Sequence, residues 1–247
     1  MLLLEVRSEG GFINPAASIG ALPTAVVDTD GRIYTPGPAP DGSAPLIPVV
    51  QVRDTGPTGA AAILAAATAA GLADGSASGG GLGADTGATV FTLEADGREV
   101  VTPVAAGGPI GGPGIHPGAS GAASGSPAAA LDLVARLSDT TTSWGGSAGV
   151  VAVYQPTAYR VWTARAPSGS DLHKSAPWPL DPDPGSFGSP AAASLGVDGL
   201  RSGVVSGADA LALARALGSV EAGTLLVAGG TAYEVWVQPL LPDELGG

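Results

Sequence analysis

Three short turns constrain this chain more than any other feature of its sequence. Thr29-Asp30-Gly31 separates Thr24-Ala25-Val26-Val27-Asp28 from Arg32-Ile33-Tyr34-Thr35. Asp96-Gly97 lies between Thr89-Val90-Phe91-Thr92-Leu93 and Glu99-Val100-Val101. Gly229-Gly230 joins Thr224-Leu225-Leu226-Val227-Ala228 to Tyr233-Glu234-Val235-Trp236-Val237. Tight hairpins of the primed type need positive φ at their central positions, which glycine and aspartate tolerate best. Each turn therefore predicts an antiparallel hairpin. In the last one Val235 and Val237 alternate with Glu234 and Trp236, so one face is expected buried and the other partly open.

Helical signals lie between the hairpins. Thr55 or Thr58 caps a helix from about Gly59 to Ala70, closed by Gly71. Ser126 followed by Pro127 opens a second, with Leu131, Val134 and Leu137 as its apolar face. Ser206-Gly207-Ala208-Asp209 opens a third that runs to Leu217, with Leu211, Ala214 and Leu217 inward. The predicted class is α+β: antiparallel hairpins with about three short helices packed on the sheets. Further strands are expected at residues 2–7, at Val49–Arg53, at Val150–Tyr154 and at Tyr159–Thr163. Strand, helix and hairpin recur in that order, a weak internal repeat that shared turn chemistry explains as well as duplication does.

Glycine (40) and proline (22) together make about a quarter of the 247 residues, the lower edge of low-complexity composition. Residues 36–48 hold five prolines and must be extended. Residues 105–126 are almost entirely Gly, Ala, Pro and Ser, the composition of a flexible loop. The expected organisation is an N-terminal half at 1–104, that loop at 105–126, and a C-terminal half at 127–247, the alternative being one compact domain. Residues 166–190 form a second Pro-rich stretch, long enough to be either functional or disordered. Trp178, Leu180 and Phe187 are expected to pin it to the body.

The formal net charge is −12, from 22 acidic and 10 basic residues. With no basic cluster, nucleic acid is excluded as a partner. An anionic membrane surface would repel the chain, and no stretch approaches the roughly 20 apolar residues of a membrane helix. The absence of cysteine removes disulfides and thiolate chemistry. Met1-Leu2-Leu3-Leu4 is too short for the apolar core of a signal peptide. If the protein is exported, its leader has been removed.

The candidate chemical constellations are sparse. His116 and His173 both fall in loop-like stretches, and two nitrogens fall short of a zinc site. Gly145-Gly146-Ser147-Ala148-Gly149 has the letters of a nucleophile elbow, but the strand follows the serine instead of preceding it. Ser206 reads as a helix cap. Gly79-Gly80-Gly81-Leu82-Gly83 and Gly107-Gly108 lack the strand-to-helix setting of a phosphate loop. No catalytic residue is assigned. Asp181 and Asp183, in Asp181-Pro182-Asp183-Pro184-Gly185, are candidates for a divalent cation such as calcium, though a calcium site needs 6–8 oxygens. No other cofactor is expected. Trp178, Phe187, Trp162 and Trp236 are the candidate binding residues, because large rings anchor interfaces as well as cores.

A string of landmarks runs in order along the chain. It includes Glu9-Gly10-Gly11-Phe12, Asp30-Gly31-Arg32, Thr35-Pro36-Gly37-Pro38, Gln51-Val52-Arg53 and Ala70-Gly71-Leu72. Trp178-Pro179-Leu180, Phe187-Gly188, Val204-Val205-Ser206-Gly207 and Pro239-Leu240-Leu241-Pro242-Asp243-Glu244 follow. In these the chain resembles an uncharacterised family of exported, often lipid-anchored proteins from high-GC Gram-positive bacteria, with no known activity. The resemblance implies an extracellular or cell-envelope location. The leading expectation is a non-catalytic, lipoprotein-like secreted or envelope protein that binds another protein or an envelope polymer. The alternatives are a carboxylate- or cation-dependent hydrolase and a structural subunit of an envelope assembly. Oligomeric state is not legible.

Overall fold

The computed structural model describes residues 1–10, 18–39, 44–78, 87–95, 97–105, 125–170, 174–242 and 244. Its contacts divide the chain into two compact units. The first comprises Met1–Phe12, Pro23–Pro36 and Gln51–Ala152, the second Ile13–Leu22, Gly37–Val50 and Val153–Gly247. Helices and sheets of mainly antiparallel strands occur in both, with one parallel pair at Leu225–Val227 and Ser175–Pro177 in the second, so the fold is α+β.

In the first unit a sheet runs β6-β5-β1-β2-β3-β4-β7. Its strands are β1 (Leu2–Gly10), β2 (Ala25–Asp28), β3 (Arg32–Pro36), β4 (Val50–Asp54), β5 (Gly87–Ala95), β6 (Arg98–Ala105) and β7 (Val150–Val153). Register builds apolar rows across it. Leu4 stands between Val27 and Leu93, and Val6 between Ala25 and Phe91. Helices α1 (Gly56–Ala69) and α2 (Pro127–Ser138) cover these rows with Ala60, Ile63 and Ala67, and with Ala130, Leu133 and Leu137. The linker composition of 105–126 suggests a boundary there, yet α2 beyond it packs on the first core, because Leu133 and Leu137 find their apolar face on that sheet. Residues 106–124 lie outside the described residues.

The first hairpin forms as its turn predicts. The Asp28 carboxylate accepts from the backbone N–H of Asp30 (3.0 Å) and of Arg32 (2.9 Å), closing the turn around itself. Gly31 has φ 87°, and a β-carbon there would overlap the Gly56 carbonyl. Only glycine fits, because the turn rests on the start of α1. Thr55 precedes α1 but makes no side-chain cap. Its hydroxyl donates instead to the Gly31 carbonyl at 2.7 Å, tying hairpin to helix. Ser126 does cap α2, accepting from Ala129 N–H at 3.2 Å.

Two apolar faces are rotated from the expected ones. In α2 the buried stripe is Ala130, Leu133 and Leu137, with Leu131 and Val134 only partly buried. In α3 (Gly207–Leu217) it is Ala210, Leu213 and Leu217, while Leu211 is 60% exposed. Each stripe takes in a leucine outside the expected face, Leu133 in α2 and Leu213 in α3, because both helices carry apolar residues on more than one side and the sheet selects among them.

The second unit holds a sheet in the order β10-β11-β8-β13-β12-β9. Its strands are β8 (Ala158–Arg165), β9 (Ser175–Pro177), β10 (Ser189–Pro190), β11 (Arg201–Ser206), β12 (Leu225–Ala228) and β13 (Thr231–Pro239). Tyr159, Val161, Val205, Tyr233, Val235 and Val237 meet α3 on one face. Ala164, Trp162 and Trp236 face the other way, against Ile19 and Leu200. The Pro-rich segments from earlier in the chain join this unit. Leu46 N–H donates to Val220 O at 2.7 Å, and Ala222 N–H to Ala44 O at 2.8 Å.

The weak repeat does not extend to topology. In the first unit the strand before the helix, β4, is separated from the hairpin strand β5 by β1, β2 and β3. In the second, the strand before the helix, β11, is separated from the hairpin strand β13 by β8 alone.

The four sheet edges are unequal. β6 carries Arg98, Glu99 and Pro103; β9 ends in Pro177; β10 is Ser189-Pro190. Charges and prolines of this kind keep edges from recruiting other strands. β7 has neither, and Val150, Val151 and Val153 are 80%, 39% and 57% exposed. Val151→Lys is expected to leave the melting temperature nearly unchanged and to slow heat-induced aggregation severalfold, as read by light scattering during a thermal ramp. Unchanged aggregation would mean that another surface nucleates it.

Candidate binding site

The six aromatic and acidic candidates of the sequence all fall in the second unit. Trp162 and Trp236 stand directly opposite each other on β8 and β13. Both are half-buried and share the sheet face turned away from α3. Trp178 and Phe187 meet on the α3 side, edge to face at 5.8 Å between ring centroids. Phe187 is a core residue, 7% exposed. Trp178 is half-buried, and its indole N–H donates to Pro182 O at 2.9 Å. This pair fastens the 174–190 segment to the body.

Asp183 has a fastening role too. It precedes a one-turn 3₁₀ helix, Pro184–Ser186, and its carboxylate accepts from Gly185 N–H at 2.8 Å and from Tyr233 OH at 2.9 Å. Burial, together with that bond to Asp183, raises the Tyr233 phenol above its usual pKa, so it stays a donor at any physiological pH. Thr163 donates to Pro184 O at 2.8 Å, and Arg201 donates to Phe187 O and Gly188 O. Asp181 lies on the exposed side of the same loop. Among the described residues no three His, Asp or Glu side chains converge as metal ligands. His116, His173, Gly79–Gly83 and Gly107–Gly108 lie outside the described residues. Ser147 accepts from Gly149 N–H at 3.1 Å, in a tight turn that leads into β7. Ser206 stands at the α3 N-cap position with no side-chain cap bond.

The described concave feature with the most chemistry is a cleft of about 300 Å³ beside β13. It exists because β12 is shorter than β13. β12 pairs only with Thr231–Tyr233, whereas β13 continues to Pro239 against β8. Beyond Tyr233 the sheet opens on the β12 side. There the cleft is lined by Ala222–Leu225 with Pro45 and Leu46, and by Ile19 and Gly20. Glu234 is the one charged residue in the lining, and it is half-buried. Among the described residues it has neither an ion-pair nor a hydrogen-bond partner, unlike the exposed Glu221, which pairs with Lys174 at 3.1 Å. Trp236 lies two residues along, on the same face.

Of the six binding and metal candidates named from the sequence, Trp236 alone lines this cleft. Glu234, Leu46 and Pro45 were missed as site residues. Alternation in β13 marks Glu234 as facing away from the core. Nothing local says that the Pro-rich 36–48 stretch will lie across from it.

No family model, curated protein or solved structure matches the chain.

Proposed function

We propose that the protein is a non-catalytic binding module of the cell exterior or envelope, and that it holds its partner in the cleft beside β13. The observation that carries this reading is the site itself: a strand with one side open, flanked by a half-buried tryptophan and a carboxylate without a partner among the described residues. Apolar walls with a few fixed polar groups are the usual make-up of a binding pocket. The landmarks shared with exported, often lipid-anchored proteins support the location.

The test places a photo-crosslinking side chain at exposed Ala222, on the rim of the cleft, in native cells. Fractionation with intact-mass measurement is run in parallel. The expected result is a processed protein in the envelope or secreted fraction, crosslinked to a defined partner, with the crosslink lost when a bulky residue fills the cleft at Thr224. A cytosolic, unprocessed protein would overturn the location. A hydrolase activity lost on changing a single Asp or Glu would overturn the non-catalytic reading.

A further inference from the structure

We propose that the cleft beside β13 takes an extended peptide segment of a partner protein as an added strand, with a lysine or arginine of that segment on Glu234. This rests on the binding reading above and names its ligand.

The backbone supplies the first argument. The hairpin β12–β13 turns through two residues, Gly229-Gly230, so Ala228 and Thr231 form its closing pair. Backbone groups in a strand point to alternate sides. Thr231, Tyr233, Val235 and Val237 therefore direct their N–H and C=O groups toward β12. The intervening residues direct theirs toward β8, as the bond from Ala166 N–H to Ala232 O (3.0 Å) confirms. β12 answers only as far as Tyr233. The N–H and C=O of Val235 thus face the cleft, and no described backbone group pairs with them. Strand addition satisfies such a pair with main-chain bonds from the incoming segment.

Side chains supply the second. Val235 and Val237 belong to the α3-side core with Leu46, while Glu234 and Trp236 belong to the opposite face. An incoming strand alternates in the same way. One of its residues meets Leu46 and the valines; the next meets Glu234 and Trp236. The preferred sequence therefore sets a cationic residue next to an apolar one.

Charge selects the cation. Among the described residues the lining carries one carboxylate and no partner for it, and the whole chain is at −12. A lysine or arginine would gain an ion pair on Glu234 and a cation–π contact with the neighbouring indole. A second copy of this acidic chain is disfavoured on the same ground.

The probes are three end-blocked heptapeptides, identical except at the central residue of Val-Xaa-Val, where Xaa is Lys, norleucine or Glu. A fourth carries N-methyl groups on the main chain at all three residues of Val-Xaa-Val, so that the N–H aimed at Val235 is removed in either strand direction, and n-butylammonium chloride is the small-cation control. Binding to the full chain is followed at low salt by titration calorimetry and by the amide resonances of Val235 and Val237. The expected result is a lysine peptide that binds at least tenfold more tightly than the glutamate one and shifts both amides. Glu234→Gln abolishes that preference and leaves the norleucine peptide unaffected. N-methylation weakens binding tenfold or more.

Equal binding of the three peptides, or a preference that survives Glu234→Gln, overturns the cation assignment while the cleft stands as a binding site. Butylammonium binding as tightly as the lysine peptide overturns the added strand. If no peptide binds and Ala222 still crosslinks to a carbohydrate or lipid, this inference falls and the binding reading stands. If no crosslink forms either, both fall.

Discussion

Replacing Arg53 by methionine is expected to cost the first unit about 2–4 kcal/mol, the penalty of taking the charged donor from carbonyls at the end of a helix. Arg53 sits on β4, is 3% exposed, and reaches the end of α2. One guanidinium nitrogen donates to Asp139 O at 2.8 Å and to Thr142 O at 2.9 Å, and another to Leu137 O at 3.1 Å. The last carbonyls of a helix have no partner within the helix. Here a cation takes their place as partner, and a positive charge at a helix C-terminus is also favoured by the aligned peptide dipoles. Burial lowers the guanidinium pKa, opposed by Asp139, yet an arginine remains charged at any physiological pH. Methionine keeps much of the apolar stem and leaves three carbonyls stranded. Thermal unfolding should fall by roughly 10 °C in a chain of this size. A loss below about 1 kcal/mol would mean that water reaches these carbonyls once the arginine is gone.

Trp144 gives the second large effect, and a contrast within it. Its side chain is 2% exposed and lies in the first core, with the Arg136 guanidinium 4.4 Å from the ring centroid. Trp144→Ala is expected to cost about 3–5 kcal/mol through the cavity it leaves. Trp144→Phe should cost only about 1–2 kcal/mol. The indole N–H is buried without an acceptor among the described residues, so removing it strands nothing. Phenylalanine also keeps a ring beneath Arg136. Denaturant unfolding of the two variants checks the order. A phenylalanine variant as damaged as the alanine one would show that the N–H has a partner, such as an ordered water.

The elements legible in the sequence are those fixed by neighbours along the chain. The turns at Gly31, Gly97 and Gly229-Gly230 define hairpins locally, and all three hairpins form. Ser126-Pro127 starts a helix for the same reason. What was not legible depends on distant partners. Thr55 carries the residue type of a cap but bonds across to Gly31. The short strands β9 and β10 have no periodicity and form only because β12 and β11 lie beside them. The inward faces of α2 and α3 are chosen by the sheet each packs on, among apolar residues that lie on more than one side of the helix. The cleft is the extreme case, since it is made by β12 stopping early. Trp236 was legible as a large ring on a half-open strand, whereas Glu234 looked like an ordinary outward charge.

The way the chain shuttles between the two units has a consequence for the order of assembly. Ile13–Leu22 and Gly37–Val50 belong to the second unit but are synthesised within the first. Leu46 emerges about 110 residues ahead of Tyr159, the next member of its cluster, so it waits for much of synthesis without its neighbours. Loop closure over that span precedes any reward from packing, which slows folding. Cutting the chain at Val153 would leave a C-terminal piece lacking Leu46 and Ile19, and an N-terminal piece carrying two segments with nowhere to dock. Fragment complementation, with the two pieces mixed, should therefore restore the second unit where neither piece alone can form it.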